Sequence, residues 1–511
     1  MQTIRNRENQ IVLAMRVLVT LTVLSFLLGV SATSLAQVAD EREIKPNILL
    51  VVVDDLGYGE LGCQGNKQIP TPNIDSIAEC GIRFTNAYVS APVCSPSRAG
   101  FLTGRYQTRF GHEFNAIGPH NREKGVGLPL SQKTLAELLK SEGYVTGLIG
   151  KWHLGASNGY RALNRGFDEF YGFLHEGHSY VPPPHPGVIS WFRVSSLPAR
   201  SGTRLRKGNY VFSSHMGYTE PAYDENNPIQ RGWEPVAEPE YLTDALAREA
   251  VAFIERHASR PFFLYVSFNA PHSPMQAPVK YIQKFESIPD IHRRIFAGMV
   301  AALDDAMGRL LETLRRHGLE KNTFIILFSD NGGPTKELTS SNAPLRGGKG
   351  DLYEGGIRIP FLLQWQGELP YGIVYDPPII SLDAVPTALA AAGASEGVPQ
   401  NLDGVNLLPY LTGNSDKAPH ESLFWRYGPK IALRSGHWKL VHNPSRGRPS
   451  TFELYDLSTD ISETTDLAAK RPEILKRLKK ELESYNRQMV NPLWRSKGSA
   501  RRKNWPLDLI K

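Results

Sequence analysis

Apolar residues along the chain fall into two kinds of run. Four runs are continuous: NILLVVVDD (Asn47 to Asp55), YVTGLIGKWH (Tyr144 to His153), PFFLYVSFNAPH (Pro261 to His272) and NTFIILFSDNGG (Asn322 to Gly333). Their length, their β-branched and aromatic content and their Gly or Pro boundaries predict strands buried on both faces. Other runs keep the helical period. LSQKTLAELLKSEG (Leu130 to Gly143) predicts a helix with Ser131 as N-cap and Gly143 past its end. Between Arg293 and Gly318, Ile295, Phe296, Met299, Val300, Leu303, Met307, Leu310 and Leu314 share one helical face. Alternation of the two predicts an α/β fold, a large and mainly parallel sheet flanked by helices. From about Glu421 the runs shorten to SLFWRY, KIALRS, HWKLVH and FELYDL, and a charged amphipathic helix follows from Pro472. That predicts a smaller C-terminal antiparallel sheet plus helix. Residues 175–240, rich in Pro, Gly, His, Arg and aromatics, fit neither period and read as a long irregular insertion near the site. The expected organisation is a signal peptide (1–36), a catalytic domain (45–415), a C-terminal subdomain (416–490) and a basic tail (491–511).

The N-terminus changes the picture of where the protein works. Arg5, Arg7 and Arg16 precede a 14-residue apolar run, Val17 to Val30, and Ser34 and Ala36 then offer small residues at a cleavage site. This is the layout of a secretory signal peptide, and the run falls short of the roughly 20 residues that span a bilayer. An exported, periplasmic or secreted protein with no membrane span is expected. Three arginines and one glutamate precede residue 37, so cleavage takes the net charge from +7 to +5. A mildly basic surface suits an anionic substrate and is too weak to argue for nucleic acid. Three cysteines are an odd set for such a compartment. Cys63 and Cys80 are candidates for a disulfide, a pairing that sequence cannot establish.

The four continuous runs end in chemistry: Asp54 and Asp55, Lys151 and His153, His272, then Asp330 and Asn331. Ligands of α/β sheets bind outside the carboxyl ends of the strands, so four polar endings suggest one shared site. Three carboxylates and an amide suit a hard cation, Ca²⁺ or Mg²⁺; capping of neighbouring helices is the plainer alternative. Lys151 and His153 share a face if their strand continues. Lys349 lies in the glycine-rich RGGKGDLYEGGIRIP. In VCSPSRAGFLTGR (Val93 to Arg105), Ser95 reads as an N-cap, Pro96 as the first helical residue and Gly104 as the C′ residue. Cys94 then sits beside free N–H groups at a helix N-terminus, with Arg98 near, where a thiol pKa is lowered. A half-buried structural cysteine is the alternative.

CSPSRAGFLTG matches C-x-P-S-R-x-x-x-L-T-G, the signature of the formylglycine-dependent sulfatases of the alkaline phosphatase superfamily. DDLGYGELGCQGN, GKWHLG, APHSP, FSDNGG and KGDLYEGGIRIP also resemble that family's motifs, in its order. The resemblance implies a sulfuric ester hydrolase. Cys94 would be oxidised by a maturation enzyme to formylglycine (3-oxoalanine), and Asp54, Asp55, Asp330 and Asn331 would hold one Ca²⁺ beside it. Arg98 would steady the hydrated aldehyde, Lys151 and Lys349 would hold sulfate oxygens, His272 would protonate the leaving alcohol, and His153 would take a proton from the diol. An exported member with Trp191, Arg193, His175, His178 and His185 as candidate wall residues suggests a sulfated carbohydrate as substrate. Two other readings stay open: a phosphoric or phosphonic ester hydrolase of the same superfamily, and a non-catalytic sulfoglycan-binding protein.

Overall fold

The computed structural model describes residues 7, 10–16, 45–195, 197, 204–394, 398–444 and 451–495. The chain divides into two units, Met1–Lys45 and Pro46 onward. In the first, residues 10–16 are helical; the apolar segment and cleavage site expected at 17–36 lie outside the described residues, as does most of the basic tail. No described helix is long and apolar enough to cross a membrane.

The second unit is built on ten strands: β1 (Asn47–Val53), β2 (Ile82–Phe84), β3 (Val145–Lys151), β4 (Glu169–Phe173), β5 (Gln230–Arg231), β6 (Glu234–Pro235), β7 (Phe262–Phe268), β8 (Thr323–Ser329), β9 (Phe361–Gln364) and β10 (Ile373–Tyr375). Their spatial order is β6-β5-β4-β3-β7-β1-β8-β9-β2-β10. The four continuous runs of the sequence are β3, β7, β1 and β8. They lie side by side and run parallel, with Ile48 level with Phe263 and with Phe324. All four carboxyl ends therefore open on the same edge.

Why these runs are apolar throughout is plain from the packing. Ile48, Leu50 and Val52 of β1 enter one buried layer, with helices Cys94–Thr103 and Leu135–Ser141 and the C-terminal sheet. Leu49, Val51 and Val53 enter the other, under helices Leu242–His257 and Ile291–Arg316. Burying one such side chain contributes about 1.5–3 kcal/mol, so a polar residue on either face of β1 would be costly. All eight residues of the predicted helical face between Arg293 and Gly318 are buried. The C-terminal strands Ser422–Tyr427, Lys430–Ser435, Trp438–His442 and Glu453–Asp456 form an antiparallel four-stranded sheet, followed by helix Pro472–Asn486. They share one core with the main fold.

Three expectations need correction. The helix after Leu130 starts at Leu135 with Thr134 as N-cap, because Thr134 and Glu137 form a reciprocal capping box that Ser131 cannot make. Residues 175–240 are irregular only in part: Val188–Arg193, Arg204–Lys207 and Tyr210–Ser213 join Met275–Pro278 in a second four-stranded sheet. The period was hidden because both polar and apolar positions of Val188–Arg193 are buried. Cys63 and Cys80 are both free thiols, one half-buried and one exposed.

Candidate active site

Cys94 opens its helix; Val93, not Ser95, is the N-cap, and Gly104 closes the helix in the left-handed region. The N–H groups there are largely spent. Ser95 N–H donates to Asn115 Oδ1 at 2.9 Å, and Ser97 N–H to the Val93 carbonyl at 3.2 Å. Cys94 is buried, and its Sγ lies 3.5 Å from Asp54 Oδ1. Burial, with Asp54 beside it, pushes the thiol above its ordinary range, contrary to the lowered value expected of a helix N-terminus.

Ligand atoms of Asp54, Asp55, Asp330 and Cys94 all lie within 4.8 Å of one another. The strand ends bring them there. Asp54 and Asp55 follow β1, and Asp55 turns into the left-handed region at φ 68°, with its N–H on Asp330 Oδ1 at 3.3 Å. Asp330 and Asn331 follow β8. A Cβ on Gly332 would run into the Gly355 carbonyl, so the loop after Asn331 needs glycine to pack on residues 354–357. Lys151, the last residue of β3, bonds Asp54 Oδ2, and Lys349 reaches Asp55 Oδ2 at 2.7 Å. Burial alone would raise Asp54; Lys151, His272, Arg98 and Lys349 together hold it well below its usual value. Burial, then Asp54, raises Asp330 against Arg98 and Lys151.

Arg98 is one helical turn beyond Cys94 and fully buried. It donates to Asp330 Oδ2 at 2.8 Å, the Lys151 carbonyl at 3.2 Å, Tyr265 Oη at 3.1 Å and Ser267 Oγ at 2.6 Å. Sequence reasoning passed over Tyr265 and Ser267, although they are the alternate polar positions of an otherwise apolar β7. His153 does not extend β3; its φ of 55° ends the strand's alternation. Its Nε2 bonds the Ala116 carbonyl at 2.9 Å, leaving Nδ1 buried without a partner. His272 Nδ1 bonds the Ser273 carbonyl at 2.6 Å, and Nε2 lies 3.7 Å from Asp55 Oδ2. Burial, then Lys349, holds the His272 imidazole below its usual value. Nine of the ten predicted residues are thus linked by contacts at the strand ends, and His153 lies beside them with its carbonyl on Ser95 Oγ at 2.7 Å.

The sequence pattern of the family described as Sulfatase matches residues 46–394, and that described as N-sulphoglucosamine sulphohydrolase, C-terminal, matches residues 348–488. The chain is 34% identical to human arylsulfatase D over 446 residues, covering 77% of this chain and 73% of that protein. It is 33% identical to human arylsulfatase A, covering 85% and 86%. The chain belongs to the sulfatase family. Among solved structures, Ps i-CgsB in complex with k-i-k-neocarrahexaose superposes with a TM-score of 0.75 at 35% identity, covering 88% of this sulfatase and 94% of that chain.

The sulfatase's donor set suits a divalent cation. Asn331 Oδ1 is a buried acceptor with no hydrogen-bond partner, placed beside three converging carboxylates. Three converging carboxylates and one unpaired amide oxygen fit a hard cation. The candidate wall residues fare differently. Arg193 is buried and its charge is taken by Glu220 and Glu337, so it is not free for a second sulfate. Trp191 is buried and stacks on His292 at 4.1 Å. His175 is buried and held at about 4, chiefly by burial and then by Arg122. His178 faces Asp224 at 3.3 Å, and His185 packs on Phe192 and Tyr210. Trp191, Arg193 and His175 build the insertion, whereas His178 lines an open cavity of about 400 Å³ with Tyr180 and Asp224. Sequence reasoning missed Ser95, which bonds both His112 and the His153 carbonyl at 2.7 Å, and the group around Ser273. Read from sequence, Ser95 is only an N-cap and Ser273 only a neighbour of His272.

Proposed function

We propose that this sulfatase removes sulfate from a sulfated saccharide, using a formylglycine made from Cys94 and one Ca²⁺ held by Asp54, Asp55, Asp330 and Asn331. The observation that carries the reading is the convergence of Cys94 with three carboxylates inside 4.8 Å. Support for the substrate class is the neocarrahexaose bound by a relative of 35% identity. When present, the hydrated aldehyde supplies a nucleophile restored by carbon–oxygen cleavage, and the cation supplies positive charge against sulfate oxygens. The chain's own residues do the rest. Lys151 and Lys349 are two fixed ammonium groups beside the acids, suited to sulfate oxygens. Arg98 fixes Asp330 and so the floor of the site. A carbonyl only accepts, so His153 keeps its proton on Nε2 and offers Nδ1 as a base for the side chain at position 94. By the same logic His272 keeps a proton on Nδ1 and turns Nε2 toward the site, where the ring, once it carries a second proton on Nε2 as imidazolium, can protonate the leaving oxygen. Export through residues 1–36 and a maturation enzyme acting on the Cys94 motif belong to the same reading.

Two measurements test it. Mass spectrometry of the peptide containing residue 94, from protein made in its own host, should show a loss of about 18 Da relative to cysteine, the change from CH₂SH to CHO. An unmodified thiol there would remove the proposed nucleophile. The matured protein, offered a panel of sulfated saccharides and steroid sulfates, should release sulfate from a saccharide with the higher kcat/KM; the reverse order rejects the substrate class.

A further inference from the structure

Ser273 is joined to far more than its neighbour. Its carbonyl accepts the Nδ1–H of His272 at 2.6 Å. Its hydroxyl donates to Glu337 Oε1 at 3.0 Å, lies 2.9 Å from the Tyr223 hydroxyl and accepts from Arg193 Nη2 at 3.2 Å. Arg193 ends a strand of the insertion's sheet and pairs with both Glu220 and Glu337. The Tyr223 ring meets the His272 imidazole edge-on, centroids 5.9 Å apart. Glu337 sits on the short helix Thr335–Leu338, beyond β8. That helix is itself tied down: His215 Nε2 bonds the Lys336 carbonyl and His292 Nε2 the Glu337 carbonyl, each at 3.0 Å.

Burying an arginine with two glutamates costs desolvation, and apolar packing could serve stability as well. This group surrounds the one residue whose carbonyl orients His272. Which imidazole nitrogen faces a reaction is set by the hydrogen bond the other makes. Resting on the assignment of His272 as leaving-group acid, we propose that Arg193, Glu337 and Ser273 are positioning residues for it. They hold the Ser273 carbonyl in place, so the ring presents Nε2 to the leaving oxygen. The insertion thereby contributes to catalysis on poor leaving groups without touching substrate. A displaced acid matters little when the leaving oxygen departs as a stable anion, and most when it departs as a sugar alkoxide.

The test is kcat/KM of the matured enzyme across aryl and alkyl sulfates of rising leaving-group pKa, for wild type, Ser273→Ala, Glu337→Gln and His272→Ala. Ser273→Ala and Glu337→Gln should lose about tenfold or more on an alkyl or sugar sulfate but about threefold or less on 4-nitrophenyl sulfate, a part of the roughly 10²–10⁴-fold a positioned acid supplies. His272→Ala should steepen the dependence further. A purely structural role would lower all substrates in parallel. Parallel lines for Ser273→Ala and Glu337→Gln beside a steep His272→Ala overturn the positioning role alone. A wild-type slope in His272→Ala overturns the acid assignment and the positioning role with it. Ser273→Ala removes a single oxygen, and Glu337→Gln gives an independent reading should that variant fold poorly.

Discussion

Two buried charge clusters face each other across the logic of this molecule. One is the site at the strand ends. The other joins the C-terminal sheet to the main fold: Lys439 Nζ lies 2.8 Å from Glu354 Oε1 and 2.9 Å from Glu463 Oε1. Glu354 Oε2 accepts from Tyr88 at 2.6 Å and Arg358 at 3.3 Å, and Glu463 Oε2 from the Glu354 N–H at 2.7 Å. Both clusters contain buried acids, lysine and arginine. In the C-terminal one, a lysine separates the two carboxylates, and Glu463 Oε1 is the one of their four oxygens held by the Lys439 charge alone, without a hydrogen bond. At the strand ends, carboxylates of three residues converge on one another and on a sulfur, and Asn331 Oδ1 and His153 Nδ1 are left over. Buried charge alone therefore does not mark a site. Carboxylates that converge on one another do, because folding gains nothing from bringing like charges together until a ligand arrives.

The comparison breaks first at Cys94. Cys94→Ala should lower turnover of 4-nitrophenyl sulfate by at least about 10⁴-fold while leaving the denaturation midpoint close to wild type, since it removes a nucleophile and one buried atom. A residual rate within tenfold of wild type would mean that the converging carboxylates serve something other than chemistry at position 94. Removal of metal comes next. Chelation should cost about 10²–10³-fold in rate, the scale of one lost electrostatic stabiliser, and added Ca²⁺ should restore it. Asp330→Asn should show the same loss without restoration. Full activity in chelator refutes the cation.

How much of this was readable beforehand follows from what each residue answers to. β1, β3, β7 and β8 were legible because burial on both faces leaves an unbroken apolar run, and the site was legible because their polar ends are the only places such runs can stop. The strand ends offered Asp54, Asp55, Lys151, His153, His272, Asp330 and Asn331, whereas the roles of Cys94, Arg98 and Lys349 came from the family resemblance alone. Arg193 was misread: its charge suggested a ligand for a second sulfate, but Glu220 and Glu337 lie 27 and 144 residues away in sequence and no local pattern announces them. Trp191 was misread for the same reason, its partner His292 being on a distant helix. The thiol of Cys94 was misjudged because a helix terminus is a local feature, whereas burial depends on the whole core.

Lys439 sharpens the comparison from the other side. Lys439→Met should leave Glu354 and Glu463 buried without their shared cation and destabilise the fold by about 3–5 kcal/mol in denaturant titration, the usual cost of breaking a buried pair. Its kcat on 4-nitrophenyl sulfate at a temperature where it remains folded should stay near wild type. A loss of kcat as large as its loss of stability would show the two clusters to be one.

Glu463 gives the smallest effect and the most discriminating sign. Burial, and then the charge of Glu354, raises its carboxyl above the ordinary glutamate value of 4.5 in spite of Lys439. Below 4.5 folded and unfolded chains both hold this proton; above the folded value neither does. Between those limits only the folded chain holds it, so the Glu463 contribution falls as pH rises through that window. Glu354 has the opposite sign: Lys439, Arg358 and Arg434 more than offset burial and hold it below 4.5, so its contribution is complete above that value. Above pH 4.5 the slope from this cluster therefore belongs to Glu463. Glu463→Gln should flatten the stability profile between pH 5 and 8 by about 1–3 kcal/mol, at about 1.4 kcal/mol per unit of displaced pKa. The measurement is unfolding free energy against pH for both proteins in saturating Ca²⁺, which keeps the carboxylates at the strand ends out of the difference. An unchanged slope would mean that Lys439 compensates Glu463 fully, and that the C-terminal cluster carries no strain of burial at all.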